Sequence, residues 1–316
     1  VGKTALLTRL FAGRGELINA DSMQVYRGMD IGTAKPSLEV RKQFPHHLID
    51  LVNPDEQFTV GDFVGRADAL IPEIARRGAI PVVSGGTAFY LRGFLYGVPD
   101  TPPSDSSVKA QLEARLEREG AEALHRELSQ ADPESAARIS RSDRYRIVRA
   151  LEVYYASGRP RSAFRRPSRP RGVWPCLVLG LHREREELYR SIEARVDQMF
   201  ASGLLEEVRG LLREAYGPDA PGMRAIGYRE VVAALREAAP SPEPAPQELA
   251  RCELSAGGQE ELRRIIQRNS RRYAKRQLTF LRGIPEVEWH DAADYRQINE
   301  RVEAFLSASQ SATAEG

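Results

Sequence analysis

The sequence predicts an α/β protein: a parallel sheet opening on a phosphate-binding turn, then a helical insertion and a helical C-terminal region. Three observations carry this. Gly2-Lys3-Thr4 stands directly before an amphipathic stretch, Ala5 to Phe11. Short apolar segments that end in turn residues alternate with a helix-period segment through the first hundred residues. Beyond about residue 102 helical periodicity dominates.

In order, Glu16 to Ala20 reads as a short buried strand ending at Asp21-Ser22, and His47 to Leu51 as a second strand. Val60 to Arg77 is periodic enough for a helix and stops at Gly78. Ala79 to Ser84 is a third strand, breaking at Gly85-Gly86-Thr87, where a helix starts. Pro102-Pro103-Ser104 opens a polar, charged stretch that reads as an inserted helical unit, residues 102–142. Arg144 to Ala156 is a helix, followed by an Arg- and Pro-rich loop through Pro170. Trp174 to Leu181 reads as a strand returning to the sheet, and Leu188 to Phe200 and Leu204 to Glu214 as helices split by Gly203. Pro240, Pro242, Pro244 and Pro246 mark an extended, semi-rigid connector, residues 237–262. Arg263 to Leu281 is a basic helix, and the tail from about Ser307 reads as frayed. The core therefore comprises residues 1–101 and 143–236, with a basic C-terminal helical region at 263–316.

Length and composition exclude several classes. The 316 residues allow about two domains. No apolar run approaches the roughly 18 residues of a membrane span, and no signal peptide is read at the start. Cys176 and Cys252 lack CxxC spacing, which argues against a disulfide scaffold or a zinc finger.

The net charge of +2 conceals an uneven distribution. From Arg141 to Arg171 ten Arg face only Asp143 and Glu152, a local +8. From Arg263 to Arg282 seven Arg and Lys275 meet no acid, again +8, which leaves −14 for the rest. Two basic blocks on an acidic body suit a polyanion, because Arg forks match phosphate geometry. Solvated helix faces explain the charge alone equally well.

The Gly2-Lys3-Thr4 run is the tail of a G-x-x-x-x-G-K-[ST] phosphate loop whose earlier positions are not in the sequence. In such a loop backbone N–H groups cradle phosphates, the Lys reaches an oxygen, and the hydroxyl of Thr4 holds Mg²⁺. A bare GKT also occurs by chance. Ligands of open parallel sheets bind at the carboxyl ends of the strands, which brings Gly2-Lys3-Thr4, Asp21-Ser22 and Gly85-Gly86-Thr87 to one mouth.

Asp21-Ser22-Met23-Gln24-Val25-Tyr26, followed by Gly28-Met29-Asp30-Ile31-Gly32-Thr33-Ala34-Lys35-Pro36, resembles the tRNA dimethylallyltransferases. The likeness continues through Pro45 to Asp50, Gly85 to Tyr90, Arg149 to Val153, Arg224 to Arg229 and Tyr273 to Thr279, across nearly the whole chain. The first pair of motifs is highly specific. Thr279-Phe280-Leu281-Arg282 stands where members often read TWFR, and the resemblance is to the bacterial form, without the zinc finger of eukaryotic members.

The resemblance implies a P-loop, kinase-like core with a helical insertion. It implies transfer of a dimethylallyl group from dimethylallyl diphosphate to N6 of the adenosine 3′ to the anticodon (position 37), with Mg²⁺ assisting. Adenine N6 is a poor nucleophile, so attack on the allylic carbon needs a carboxylate that takes its proton. Asp21 is assigned this role; the plain reading of Asp21 is a helix cap or a Mg²⁺ ligand. Gly2, Lys3 and Thr4 would hold the diphosphate. Thr87 would add a hydroxyl, and Arg195 resembles a family arginine that reaches the diphosphate; its plain reading is a surface helix Arg. Ser22, Met23 and Gln24 would contact the base, Gln24 through its amide. The family suggests further tRNA contacts from Lys109, from Tyr145, Arg146, Ile147, Val148 and Arg149, and from Arg224, Ala225, Ile226, Gly227, Tyr228 and Arg229. It also suggests them from Lys275, Arg276, Gln277, Leu278, Thr279, Phe280, Leu281 and Arg282. The partners implied are a tRNA anticodon stem-loop and dimethylallyl diphosphate, with no membrane, for a cytoplasmic monomer.

Three other readings compete. A free adenine-nucleotide isopentenyltransferase would share the loop and the base but needs no Arg-rich blocks. A small-molecule kinase would leave the Asp21–Lys35 motifs unexplained, and an RNA-binding module would leave Lys3 and Asp21 idle. The five histidines show no metal spacing, and Trp174 and Trp289 read as core.

Overall fold

A computed structural model describes residues 2–164 and 167–314, with side chains through residue 309. Val1, and Arg165 and Arg166 of the first basic block, lie outside the described residues. The chain divides into two compact units, one of residues 1–95 with 172–316 and the other of residues 96–171.

In the larger unit, helix α1 (Lys3–Phe11) leads into strand β1 (Gly15–Asn19). Helix α2 (Leu38–Gln43) is capped by the Ser37 hydroxyl, which accepts from Val40 N–H, and precedes β2 (His46–His47). The expected strand from His47 to Leu51 is thus cut to two residues, because Leu48 and Asp50 adopt positive φ values of 61° and 54° and turn the chain out of the ladder. Helix α3 (Val60–Arg76) begins with a reciprocal cap, Thr59 accepting from Asp62 N–H while Asp62 accepts from Thr59 N–H. It ends before Gly78 at φ 76°. Strand β3 (Ile80–Ser84) and helix α4 (Ala88–Tyr96) follow. The sheet is parallel in the order β2-β1-β3, with Leu17 opposite His46 and Val82, and Asn19 opposite Ser84.

The smaller unit contains α5 (Ser106–Glu119), α6 (Ala121–Ala131), α7 (Pro133–Arg138) and α8 (Arg144–Ser157). Asp105, Asp132 and Asp143 accept hydrogen bonds from the first turns of α5, α7 and α8. Leu112, Leu116, Leu124, Leu128, Ile147 and Leu151 make its core. Helix α8, grouped with residues 143–236 from the sequence, packs here: its inward stripe of Ile147, Val148 and Leu151 meets α5 and α6.

The larger unit resumes with β4 (Leu179–His182), α9 (Arg185–Ala201), α10 (Leu204–Arg213), α11 (Tyr228–Ala238), α12 (Pro246–Leu249), α13 (Ala256–Leu281), β5 (Glu288–Asp291) and α14 (Tyr295–Ala314). The strand expected at Trp174 begins only at Leu179 and does not join β1–β3. It pairs in parallel with β5 as a two-stranded sheet, Leu179 opposite Glu288. Pro175 has no N–H to give a ladder, and Trp174 Nε1 donates to Asp68 Oδ1 at 3.0 Å, against the main core.

The Pro-rich connector is not free-standing either. Pro246 starts the single turn of α12, whose Leu249 is fully buried in the main core with Ala250 and Cys252. Nor does the tail fray at Ser307, since helix α14 runs to Ala314. Its Ile298 and Val302 bury against Leu10, Phe11 and Leu17. Arg9 stacks on Tyr295 at 3.5 Å, and Arg14 pairs with Glu303 at 2.5 Å.

Candidate active site

The site is built where β1 and β3 end side by side. Ala20 C=O accepts from Thr87 N–H at 3.1 Å, so the turn after β3 folds across the end of β1. Only glycine allows this approach, because a Cβ at Gly85 would stand 2.0 Å from Ala20 O. Thr87 Oγ1 then accepts from Ser22 N–H at 2.8 Å and donates to Ser22 Oγ at 3.1 Å. Asp21 Oδ1 accepts from Met23 N–H at 2.9 Å, a local turn that fixes the carboxylate. Two chain segments 65 residues apart thus hold Asp21, Ser22 and Thr87 as one cluster.

The Asp21 charge acts on both Lys3 and Arg195. Both are reachable by solvent yet ringed by protein, and this crowding lowers both pKa values, with the Asp21 charge acting in the opposite direction. Arg195 lowers that of Lys3 further. Arg195 Nη2 also donates to Thr33 C=O at 3.3 Å, while the residue as a whole is exposed. Gly2, at φ 87°, caps α1, and Thr4 is exposed in its first turn. A carboxylate near a helix N-terminus can take a proton, and nearby cations can neutralise a phosphate.

The loop from Gly28 to Pro36 forms the side wall. Gln24 Nε2 donates to Thr33 C=O at 3.0 Å and Ala34 C=O at 3.3 Å. Gln24, expected to contact the base through its amide, thus has its amide nitrogen committed to the loop. Met23 is half-buried against the main core. Lys35, buried, binds Tyr26 C=O at 2.5 Å, Asp30 at 2.7 Å and Asp50 at 2.5 Å. Burial raises the Asp50 pKa, but Lys35 and Arg41 more than reverse that and hold it below its ordinary value.

The loop is anchored by Glu207 of α10, a residue that sequence reasoning missed. Its carboxylate accepts from the N–H groups of Asp30 (2.8 Å), Ile31 (2.7 Å) and Gly32 (3.1 Å) and from Tyr228 OH at 2.5 Å. Gly32 is required there because a Cβ would come within 2.4 Å of the Tyr228 ring. No local pattern announces a partner more than 170 residues away.

The opposite side is formed by α13. Gln277 Nε2 and Tyr273 OH both donate to Gly86 C=O, the latter at 3.5 Å. Gln277 therefore supports the turn beside Asp21, and Tyr273, which the sequence did not single out as a site residue, stands with it.

The remaining expected tRNA contacts separate by exposure. Tyr145, Lys275, Arg276, Thr279, Phe280 and Arg282 face outward. Arg224 and Arg229 do so too, each with one internal bond, to Asp219 C=O at 3.2 Å and to Glu230 at 2.7 Å. Ile147, Val148, Ala225, Gly227 and Tyr228 are buried, so they build the scaffold and present no side chain. Arg149 is held 2.8 Å from buried Glu152 and donates to Pro102 C=O at 2.9 Å. Arg146 lies 3.4 Å from Asp143, and Lys109 3.8 Å from Glu113. Ile226, Leu278 and Leu281 are half-buried.

No group of three His, Cys, Asp or Glu residues that could hold a metal occurs among the described residues. His47 pairs with Glu16 at 2.6 Å, and His125 is buried with Nε2 against Ile139 C=O at 3.0 Å. No helix among the described residues is long and apolar enough to cross a membrane.

A family model described as IPP transferase matches residues 24–284, most of the chain. The chain belongs to the IPP transferase family. Among curated relatives, the tRNA dimethylallyltransferase of Geobacter sulfurreducens is 47% identical over 290 residues, 91% of this chain and 88% of that one. The enzyme of the same name from Thermomicrobium roseum is 44% identical over 315 residues, 97% of this chain and 88% of that one. Of solved structures, the full-length tRNA isopentenylpyrophosphate transferase of Bacillus halodurans is similar with a TM-score of 0.65 at 35% identity, covering 99% of this chain and 95% of that one. A eukaryotic dimethylallyltransferase described as acting on tRNA is similar with a TM-score of 0.72 at 27% identity, covering 99% of this chain and 77% of that one. The family match includes Thr87, Arg195 and Tyr273 and begins three residues after Asp21.

Proposed function

We propose that this protein transfers a dimethylallyl group from dimethylallyl diphosphate to N6 of the adenosine at position 37, 3′ to the anticodon, of a tRNA. The observation that carries the reading is the Asp21 carboxylate, fixed at a strand end by Met23 N–H, with its charge acting on both Lys3 and Arg195. Family membership and the names of the relatives support the substrates.

The target adenosine is stacked in its loop and must be extruded to reach Asp21. N6 then attacks C1 of the allyl group, the C1–O bond to the diphosphate breaks, and Asp21 accepts the N6 proton. Charge builds on the leaving oxygens, where Lys3, the N–H groups at Gly2 and Thr4, and Arg195 neutralise it. Thr87 and Ser22 orient the Asp21 turn.

Without a three-ligand cluster, a cation here would be bound as Mg²⁺ commonly is, by one protein hydroxyl, water and phosphate oxygens. Exposed Thr4 offers that hydroxyl. Bound so, Mg²⁺ would supply charge neutralisation on the diphosphate.

Lys275, Arg276 and Arg282 of the C-terminal helical region would take RNA phosphates, as would Lys109 and Arg146 of the helical unit. We infer a cytoplasmic monomer, where tRNA is available. The test is incubation of the full chain with Mg²⁺, dimethylallyl diphosphate and either unmodified tRNA or AMP, followed by mass spectrometry of the nucleosides. A prenyl mass on tRNA adenosine alone is expected. A gain on AMP alone would make the protein a free-nucleotide transferase.

A further inference from the structure

Tyr273 is an exposed aromatic whose polar end is tied to the turn beside Asp21. Its hydroxyl donates to Gly86 C=O at 3.5 Å, and Gln277, one helical turn on, donates to the same carbonyl. The Cβ position of Gly86 is 3.5 Å from Asp21 Oδ2 and 2.9 Å from Gln277 Nε2, so the hydroxyl end of Tyr273 shares this corner with the carboxylate. The surrounding protein, and after it the charge on Asp21, raise the phenol pKa, keeping it a neutral donor. The residue as a whole is 39% exposed. Its one ring contact among those described is the Arg276 guanidinium, 5.9 Å from the centroid.

Anchoring one end fixes the direction of the ring, and exposure leaves a face open. An adenine extruded from an anticodon loop loses its stacking neighbours as it reaches Asp21, and a fixed aromatic face replaces them at little conformational cost. Two other exposed aromatics serve less well. Phe280 lies on the same face of α13 but about 10 Å further along, at 1.5 Å per residue, and makes no described bond to the turn. Phe89, two residues after Thr87, is exposed, and as a phenylalanine it has no hydroxyl with which to bond the turn.

We propose that Tyr273 is the platform on which the extruded target adenine stacks while its N6 faces Asp21. This deepens the tRNA reading above and rests on it.

The test uses an anticodon stem-loop with 2-aminopurine at the target position, bound to the full protein, alongside turnover on unmodified tRNA. Wild type should hold the base extruded but stacked, with low fluorescence, and Y273F, which keeps the ring but loses its tie to Gly86, should fall between wild type and the variants without a ring in both fluorescence and turnover. Y273L and Y273Q, two variants in case one impairs folding, should leave the base unstacked. Their fluorescence should rise several-fold and turnover at saturating RNA should fall about tenfold to a hundredfold. Wild-type fluorescence and turnover in Y273L and Y273Q, with tRNA still prenylated, would overturn the platform and leave the function standing. A target base that never leaves its stack in the wild-type complex, with prenyl transfer to AMP alone, would overturn both.

Discussion

Helix α8 and the second half of α13 come from sequence windows of equal charge, +8 each, and end up electrostatically unlike. On α8, Arg144 meets Glu117 of α5, Arg146 meets Asp143, and Arg149 meets buried Glu152. Three basic residues of α13 are similarly engaged, with Arg263 on Asp197, Arg264 on Glu260 and Arg271 on Glu193. Arg268, Arg272, Lys275 and Arg276 of the same helix have no acidic partner among the described residues. Charge counted along a chain therefore does not give the potential of a face. Acids that are distant in sequence neutralise one block, while half of the other stays open beside the Asp21 turn.

The largest expected effect breaks the paired side. Arg149→Ala leaves the Glu152 carboxylate buried with only Ser104 and Asp105 as donors and should cost about 3 kcal/mol of stability. Denaturant unfolding reads this; an undiminished midpoint together with weakened RNA binding would return Arg149 to the RNA interface.

On the open side, the double change Lys275→Ala and Arg276→Ala should weaken tRNA binding about tenfold to a hundredfold and make its salt dependence shallower by about two counterions. Titrations at several salt concentrations measure it. An unchanged slope would mean that the open half of α13 is a solvated face.

The smallest effect concerns acid stability. Asp50 has a folded pKa below its unfolded value near 3.9, so its contribution is present above that value and is lost as pH falls through the lowered one. Melting temperature followed below about pH 4 should therefore decline more steeply in wild type than in Asp50→Asn. Parallel declines would remove Lys35 and Arg41 as the cause.

What was legible in the sequence had local signatures. Gly78 marked the end of α3, and turn residues after β1 and β3 placed Asp21 and Thr87 at one mouth. What was not legible depends on contacts between distant segments. Glu207 under the Gly28–Pro36 loop, Gln277 and Tyr273 on Gly86, and β4 pairing with β5 each join segments more than 100 residues apart. Burial of Tyr228 and Val148 follows from which helix face packs inward, which a motif match does not reveal. Pro240, Pro242 and Pro244 before α12, with Pro246 at its start, favoured an extended connector, whereas Leu249 is buried in the core.

The central claim is that Asp21 takes the proton from the attacking nitrogen, and Asp21→Asn tests it most directly, since the amide keeps size and hydrogen bonding but not basicity. Single-turnover prenylation of tRNA should slow by about a hundredfold to ten-thousandfold while tRNA affinity stays near wild type. Turnover at the wild-type rate with the asparagine in place would contradict the account.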